Sequence, residues 1–165
     1  MQLSDFKTAN GFLTIAPFDH RGSLAESLHL DLSQEHDRTT FLFLKTAFMK
    51  LFSPHVSAVL TDPEFGPQTL SSKAPACRVF LSLERSGYTG NHDAMTELLP
   101  DWGIDGVLRY EAGAKLLVYF HPHSTTAKEK IALVQQLYQE AKAKNVVFLV
   151  EPVLYELEGK KQWEH

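Results

Sequence analysis

Cysteine is nearly missing: Cys77 is the only one in 165 residues. A single thiol cannot close an internal disulfide, and no secretory signal opens the chain, so the cytoplasm is the expected compartment. Cys77 precedes an apolar strand with no His/Asp arrangement beside it, which points to a small buried residue and away from a nucleophile. No apolar run approaches the ~18 residues of a membrane span. A basic stripe is also lacking. The formal net charge is -4, and the richest lysine stretch, Lys128–Lys144, has Glu129 and Glu140 mixed in. It reads as a solvated helix face, so neither nucleic acid nor membrane is an expected partner.

What is present is ordinary in proportion: 44% hydrophobic and 22% charged residues, enough for a single domain, residues 1–165, with a real core. Short apolar runs bounded by turn signals recur along it. Phe12–Phe18, Val56–Thr61, Arg78–Leu83, Gly113–Pro122 and Val146–Pro152 read as five strands. Between them, Thr39–Phe52 reads as a helix stopped by Ser53-Pro54, with Ser33 or Asp37 as its start signal. Residues 67–77 read as a short helix or loop, residues 89–103 as a long polar loop, and Ile104–Ala112 as a short helix. Ala127–Lys144 is a long amphipathic helix with Ile131, Val134, Leu137, Tyr138 and Ala141 at helical spacing and Asn145 as its C′ residue.

Strands alternating with helices imply parallel βαβ units. Each strand runs into a loop rich in Asp, His, Arg, Glu or Tyr. Polar chemistry at the C-terminal ends of parallel strands belongs to a (β/α)8 barrel or an open doubly wound sheet. The turn after the first strand, Asp19-His-Arg-Gly-Ser23, holds a single glycine and makes no phosphate-binding loop. The barrel is favoured. The fold class is thus α/β: an incomplete (β/α)8 TIM barrel of about five parallel strands with helices on the outer face.

Three residues stand out on chemical grounds. Lys115 interrupts an otherwise apolar strand. It must be desolvated with a lowered pKa, or face a polar cavity with a partner, or snorkel to water from the strand entrance. Asp19 ends the first strand, and Glu151 ends the fifth, which would neighbour the fourth. A carboxylate beside an ammonium can poise both for proton transfer, or can be no more than a buried ion pair.

Five segments then carry a resemblance: Ala16-Pro-Phe-Asp-His-Arg-Gly-Ser23, Leu51-Phe-Ser-Pro-His-Val-Ser-Ala-Val-Leu-Thr-Asp-Pro-Glu-Phe-Gly66, Leu83-Glu-Arg-Ser-Gly-Tyr88, Gly113-Ala-Lys-Leu-Leu-Val-Tyr-Phe120 and Phe148-Leu-Val-Glu-Pro152. Taken in order, the chain resembles the tagatose-bisphosphate aldolase family, bacterial class I aldolases that include sulfofructosephosphate aldolase. The resemblance implies metal-independent Schiff-base chemistry without a cofactor, in which an amine attacks the ketone of a phosphorylated ketose and the iminium acts as electron sink. It implies general acid/base catalysis by Glu151, with Lys115 and Asp19 assisting, and substrate-binding positions at Arg21, Asp62, Glu84 and Tyr88. His20 stands where the tagatose enzymes usually carry glutamine.

The family's Schiff-base lysine lies on strand six, and its phosphate site follows strands seven and eight. This sequence stops about thirteen residues after the fifth strand, where a typical barrel has ~250 residues. The expectation is a chain truncated before the nucleophile, from a fragmentary or split gene. Lys160 and Lys161 fall in a polar tail and make poor substitutes. The alternative is a non-catalytic half-barrel that binds a sugar phosphate or a protein partner. Open sheet edges would favour either self-association or a complementary C-terminal barrel fragment.

Overall fold

The computed structural model describes residues 1–85 and 91–157. Its elements run β1 (Ile15–Pro17), α1 (Gly22–Ser27), α2 (Glu35–Phe52), β2 (Ala58–Thr61), α3 (Gly66–Thr69), β3 (Arg78–Ser82), α4 (Ile104–Leu108), β4 (Gly113–Phe120), α5 (Ala127–Ala143) and β5 (Phe148–Leu154). All five strands join one sheet in chain order, every neighbouring pair parallel. The result is a curled half-barrel with helices between the strands, an incomplete (β/α) barrel as the alternation of elements predicts.

Period-two alternation sorts the strand residues onto two faces. On the outer face Val79, Leu81, Ala114, Leu116 and Val118 pack with Met49 of α2, Ile104 and Val107 of α4, and Leu137 and Ala141 of α5. Each large aliphatic side chain buried there contributes about 1.5–3 kcal/mol. On the inner face Ala58, Leu60 and Phe80 gather around Phe6, which comes from a 3-10 turn at Leu3–Phe6 and plugs the N-terminal end. Farther along the same inner face the residues turn polar. That change of character, from Phe80 to Ser82 and from Gly113 to Lys115, marks where a cavity begins.

Several boundaries differ from the sequence expectation, each for a local reason. The first strand starts at Ile15, not Phe12, because a turn closed by Thr8 N–H to the Phe12 carbonyl, with Gly11 at φ 83, carries Phe12 away from the sheet. Helix α2 begins at Glu35, ahead of Thr39. Ser33 and Asp37 do not cap it: both bond to Asp31 instead. A six-residue helix, α1, occupies the polar stretch after β1, where none is expected. Helix α4 ends at Leu108, short of Ala112. Strand β5 continues through Pro152 to Leu154, which an edge strand tolerates because proline's missing N–H removes no ladder bond there. Asn145 takes the left-handed conformation expected of a C′ residue, φ 53. On α5 the buried residues are Ala127, Lys130, Leu137 and Ala141, while Ile131 and Tyr138 are exposed. The face that meets the sheet therefore lies to one side of the apolar stripe.

Cys77 is buried, and burial raises its thiol pKa, leaving it inert at neutral pH. Among the described residues no helix is long and apolar enough to cross a membrane. Also among them, β1 pairs only with β2 and β5 only with β4.

Gly113 opens β4 at the point of closest approach between sheet and plug. A Cβ there would stand 2.5 Å from the Phe80 ring and 3.2 Å from that of Phe6. Gly113→Ala is expected to lower stability by about 1–3 kcal/mol through overpacking, read as a lower urea midpoint at unchanged slope. An unchanged midpoint would show that the plug yields freely.

Candidate active site

Register places the site. Lys115 pairs with Ser82 of β3, and Leu117 pairs with Glu151 of β5, so Lys115, Leu117 and Tyr119 share the inner face with Glu151. Asp19 and Glu84 each lie two residues past the end of their strands and reach the same point. The Lys115 Nζ stands 2.7 Å from Asp19 Oδ2, 2.9 Å from Glu84 Oε1 and 3.0 Å from Glu151 Oε2. Strands β1, β3, β4 and β5 thus each bring one charged group to a common centre. They border a cavity of about 660 Å³ at the C-terminal mouth of the half-barrel.

Lys115 is 1% exposed. Burial alone would lower its pKa, but the carboxylates of Glu84 and Asp19 outweigh that penalty and hold the ammonium well above its ordinary range. Of the alternatives open in the sequence, the lysine takes the polar cavity with partners. At neutral pH it is a fixed positive charge with no free lone pair. Glu84 is fixed from both sides: its Oε2 accepts the Leu117 N–H at 3.1 Å and its carbonyl accepts Arg21 Nη2 at 2.7 Å. Glu151 differs, being half-exposed on the rim. Of the three carboxylates it is the most exposed to a molecule entering the cavity.

Arg21 lines the cavity although its side chain is buried, and among the described residues its Nε has no partner. A buried guanidinium with a spare donor suits a planar or tetrahedral oxyanion. His20, Ser23, Glu26 and Arg85 also border the cavity. Asp62, a substrate-binding position by resemblance, is not in the lining. It is fully buried, Oδ1 accepting the N–H groups of Glu64 and Phe65 and Oδ2 accepting Lys45 Nζ at 2.8 Å. With no exposed surface and both oxygens engaged inside the protein, it does not face the cavity. Tyr88, Lys160 and Lys161 lie outside the described residues.

Two features escaped the sequence reading. Tyr119 lines the cavity and stacks flat on His92, ring centres 4.2 Å apart. Its signal was the alternation Lys115, Leu117, Tyr119, which puts all three on one face. Lys45 is fully buried in α2 and had no signal at all, since lysine in an amphipathic helix reads as a solvated residue. Among the described residues no cluster of His, Cys, Asp and Glu has the geometry to hold a metal ion.

No family model matches the chain. Curated proteins do. A tagatose 1,6-diphosphate aldolase of Streptococcus agalactiae serotype V is 27% identical over 159 residues, covering 94% of this chain and 48% of that protein. Tagatose 1,6-diphosphate aldolase 2 of Streptococcus mutans is 26% identical over 162 residues, covering 93% and 48%. Tagatose 1,6-diphosphate aldolase 1 of Streptococcus pyogenes serotype M3 is 25% identical over 152 residues, covering 88% and 46%. The similarity thus runs through nearly all of this chain, and the chain spans about half the length of the curated relatives it matches.

Lys115 offsets part of the negative charge at the centre, and its removal should show in the pH dependence of stability. Its folded pKa lies above the unfolded value of 10.5. Its pairing therefore stabilises the fold fully below pH 10.5 and is lost only as pH climbs through the folded value. Lys115→Met leaves the carboxylates uncompensated and is expected to cost about 3–5 kcal/mol at pH 7. The deficit should hold constant up to pH 10.5 and narrow only above it, where the unfolded chain gives up its proton while the native protein still holds its ammonium. Urea titrations across pH 6–10 that show no deficit for Lys115→Met would remove the stabilising role.

Proposed function

We propose that this chain supplies the acid/base half of a metal-independent class I aldolase that cleaves a phosphorylated ketose reversibly. The observation that carries the reading is the Lys115 ammonium held among Asp19, Glu84 and Glu151 at the mouth of a half-barrel. The sequence similarity to proteins named tagatose 1,6-diphosphate aldolase supports it. In such a reaction a carboxylate takes the proton of a substrate hydroxyl as the neighbouring C–C bond breaks, and the bonding electrons flow to an iminium formed on the substrate ketone. Glu151 is the proton acceptor in this reading. Lys115 and Asp19 orient the hydroxyl and balance the charge that develops beside it. Arg21 takes an oxyanion of the substrate, and Glu84 holds Lys115 and Arg21 in place.

Lys115 is not the amine that forms the iminium. A nitrogen held protonated by its carboxylate neighbours has no lone pair to attack a ketone. The amine and the remaining phosphate contacts would come from further barrel strands, paired against β5 and β1. Five strands leave room for three more in an eight-stranded closure. Without that complement, the open edges and the exposed inner face would drive self-association.

Two outcomes test this. Borohydride added to the chain with a ketose bisphosphate should leave no adduct, by mass spectrometry. An adduct on Lys115 would overturn its assigned role, and one on any other lysine of this chain would overturn the need for a complement. Co-expression with a fragment bearing the C-terminal half of a relative should convert heterogeneous oligomers into one compact complex on size exclusion. In that complex Glu151→Gln should reduce aldol cleavage ~10²–10⁴-fold in kcat. A complex that binds the sugar phosphate but never cleaves it favours the non-catalytic binding half-barrel.

A further inference from the structure

The buried face of α2 is set by Phe41, Lys45 and Met49, one turn apart. Its middle residue is a lysine with no exposed surface. The Lys45 Nζ has three donors, and three acceptors meet it. One is Asp62 Oδ2 at 2.8 Å; the others are the main-chain carbonyls of His20, at 2.7 Å, and Phe18. Those two carbonyls bracket Asp19. Strand β1 has already ended at Pro17, so neither carbonyl belongs to the strand segment that fixes the backbone farther back.

We propose that Lys45 is a positioning residue of the site: from α2 it clamps the main-chain carbonyls of Phe18 and His20, the residues on either side of Asp19, and thereby directs the Asp19 carboxylate onto Lys115. A buried ion pair kept only for packing would need Lys45 and Asp62 alone. Here two of the three ammonium donors go to the turn that carries a cavity carboxylate. Asp62 completes the device. Its second oxygen holds the Glu64 and Phe65 N–H groups, so the clamp ties the β1 turn to the loop after β2 through one nitrogen. Burial pushes the Lys45 pKa down and the Asp62 charge opposes that. The inference rests on Asp19 and Lys115 being the working pair proposed above, but its test reads their geometry and not turnover.

The test follows the Lys115 side chain by NMR in the full chain labelled with ¹³C at the lysine Cε. Lys45→Met together with Asp62→Asn removes the clamp without leaving a buried charge unpaired, and Asn keeps an oxygen for the Glu64 and Phe65 N–H groups. With Asp19 released, the Lys115 titration midpoint is expected to fall by about one to two pH units. Asp19→Asn should lower it similarly, and adding the clamp substitutions to Asp19→Asn should change nothing more. Lys45→Gln with Asp62→Asn keeps a polar but shorter side chain in the slot and should give an intermediate fall, a readout that survives if the methionine protein does not fold. A cooperatively folded variant of either kind whose Lys115 titrates as in the native chain overturns the proposal, as does a fall that adds fully to that of Asp19→Asn. If the Lys115 result holds while cleavage by the completed barrel fails, the clamp stands and only the aldolase reading is lost.

Discussion

The structure turns on one electrostatic constraint. An ammonium that is 1% exposed must be compensated where it sits, because an unpaired buried charge costs several kcal/mol. Lys115 is compensated by carboxylates from three other strands, at 2.7, 2.9 and 3.0 Å. No single βα unit could meet that demand. The centre forms only when β1, β3, β4 and β5 are curled into one surface, so the same contacts that neutralise Lys115 report that the sheet has its register.

The polar centre in turn depends on what lies beneath it. The inner face is apolar at its N-terminal end, where Phe6 fills the space between Phe80 and Gly113, and polar at its C-terminal end. The outer face is mainly apolar and covered by α2, α4 and α5. A packed floor and a helix-backed wall leave the charged groups facing one open direction. Carboxylates outnumber the ammonium three to one there, with the Arg21 guanidinium close by, so the cavity holds both signs of charge at contact distance. Such a cavity can pass a proton at one carboxylate while the others keep the field fixed. Glu151 lies half-exposed on the rim, whereas Asp19 and Glu84 are largely buried.

Helix α2 shows the same economy one layer out. Its inward stripe would serve as packing if all three residues were apolar. With Lys45 at the centre it becomes a connection between two loops at the mouth of the half-barrel, Phe18–His20 and Asp62–Phe65. Lys130 of α5 plays a comparable part on the other side, donating to the His92 carbonyl at 2.8 Å and thereby holding the ring that stacks on Tyr119. Two fully buried helical lysines, Lys45 donating to two main-chain carbonyls and Lys130 to one, hold backbone outside the named strands.

By itself the sequence determined the parallel α/β class, the order of the strands, the long helices α2 and α5 and the strangeness of Lys115, because hydrophobic periodicity and turn residues are local signals. It also marked Asp19 and Glu151 as strand-end carboxylates near that lysine. It could not decide which face each side chain would take once strand ends shifted by two or three residues, since a single step in a strand moves a side chain to the opposite face. Nor could it separate Asp62, turned inward onto Lys45, from Arg21, turned toward the cavity, because both stand in polar loops after strands. Lys45 and Lys130 looked like surface residues, and the apolar stripe of α5 took in the exposed Ile131 and Tyr138 along with Val134, Leu137 and Ala141, which do meet the sheet core. Those matters were settled only by tertiary structure, for one reason: burial and charge pairing are set by which distant strands and loops come within about 3 Å, a distance that no local pattern encodes.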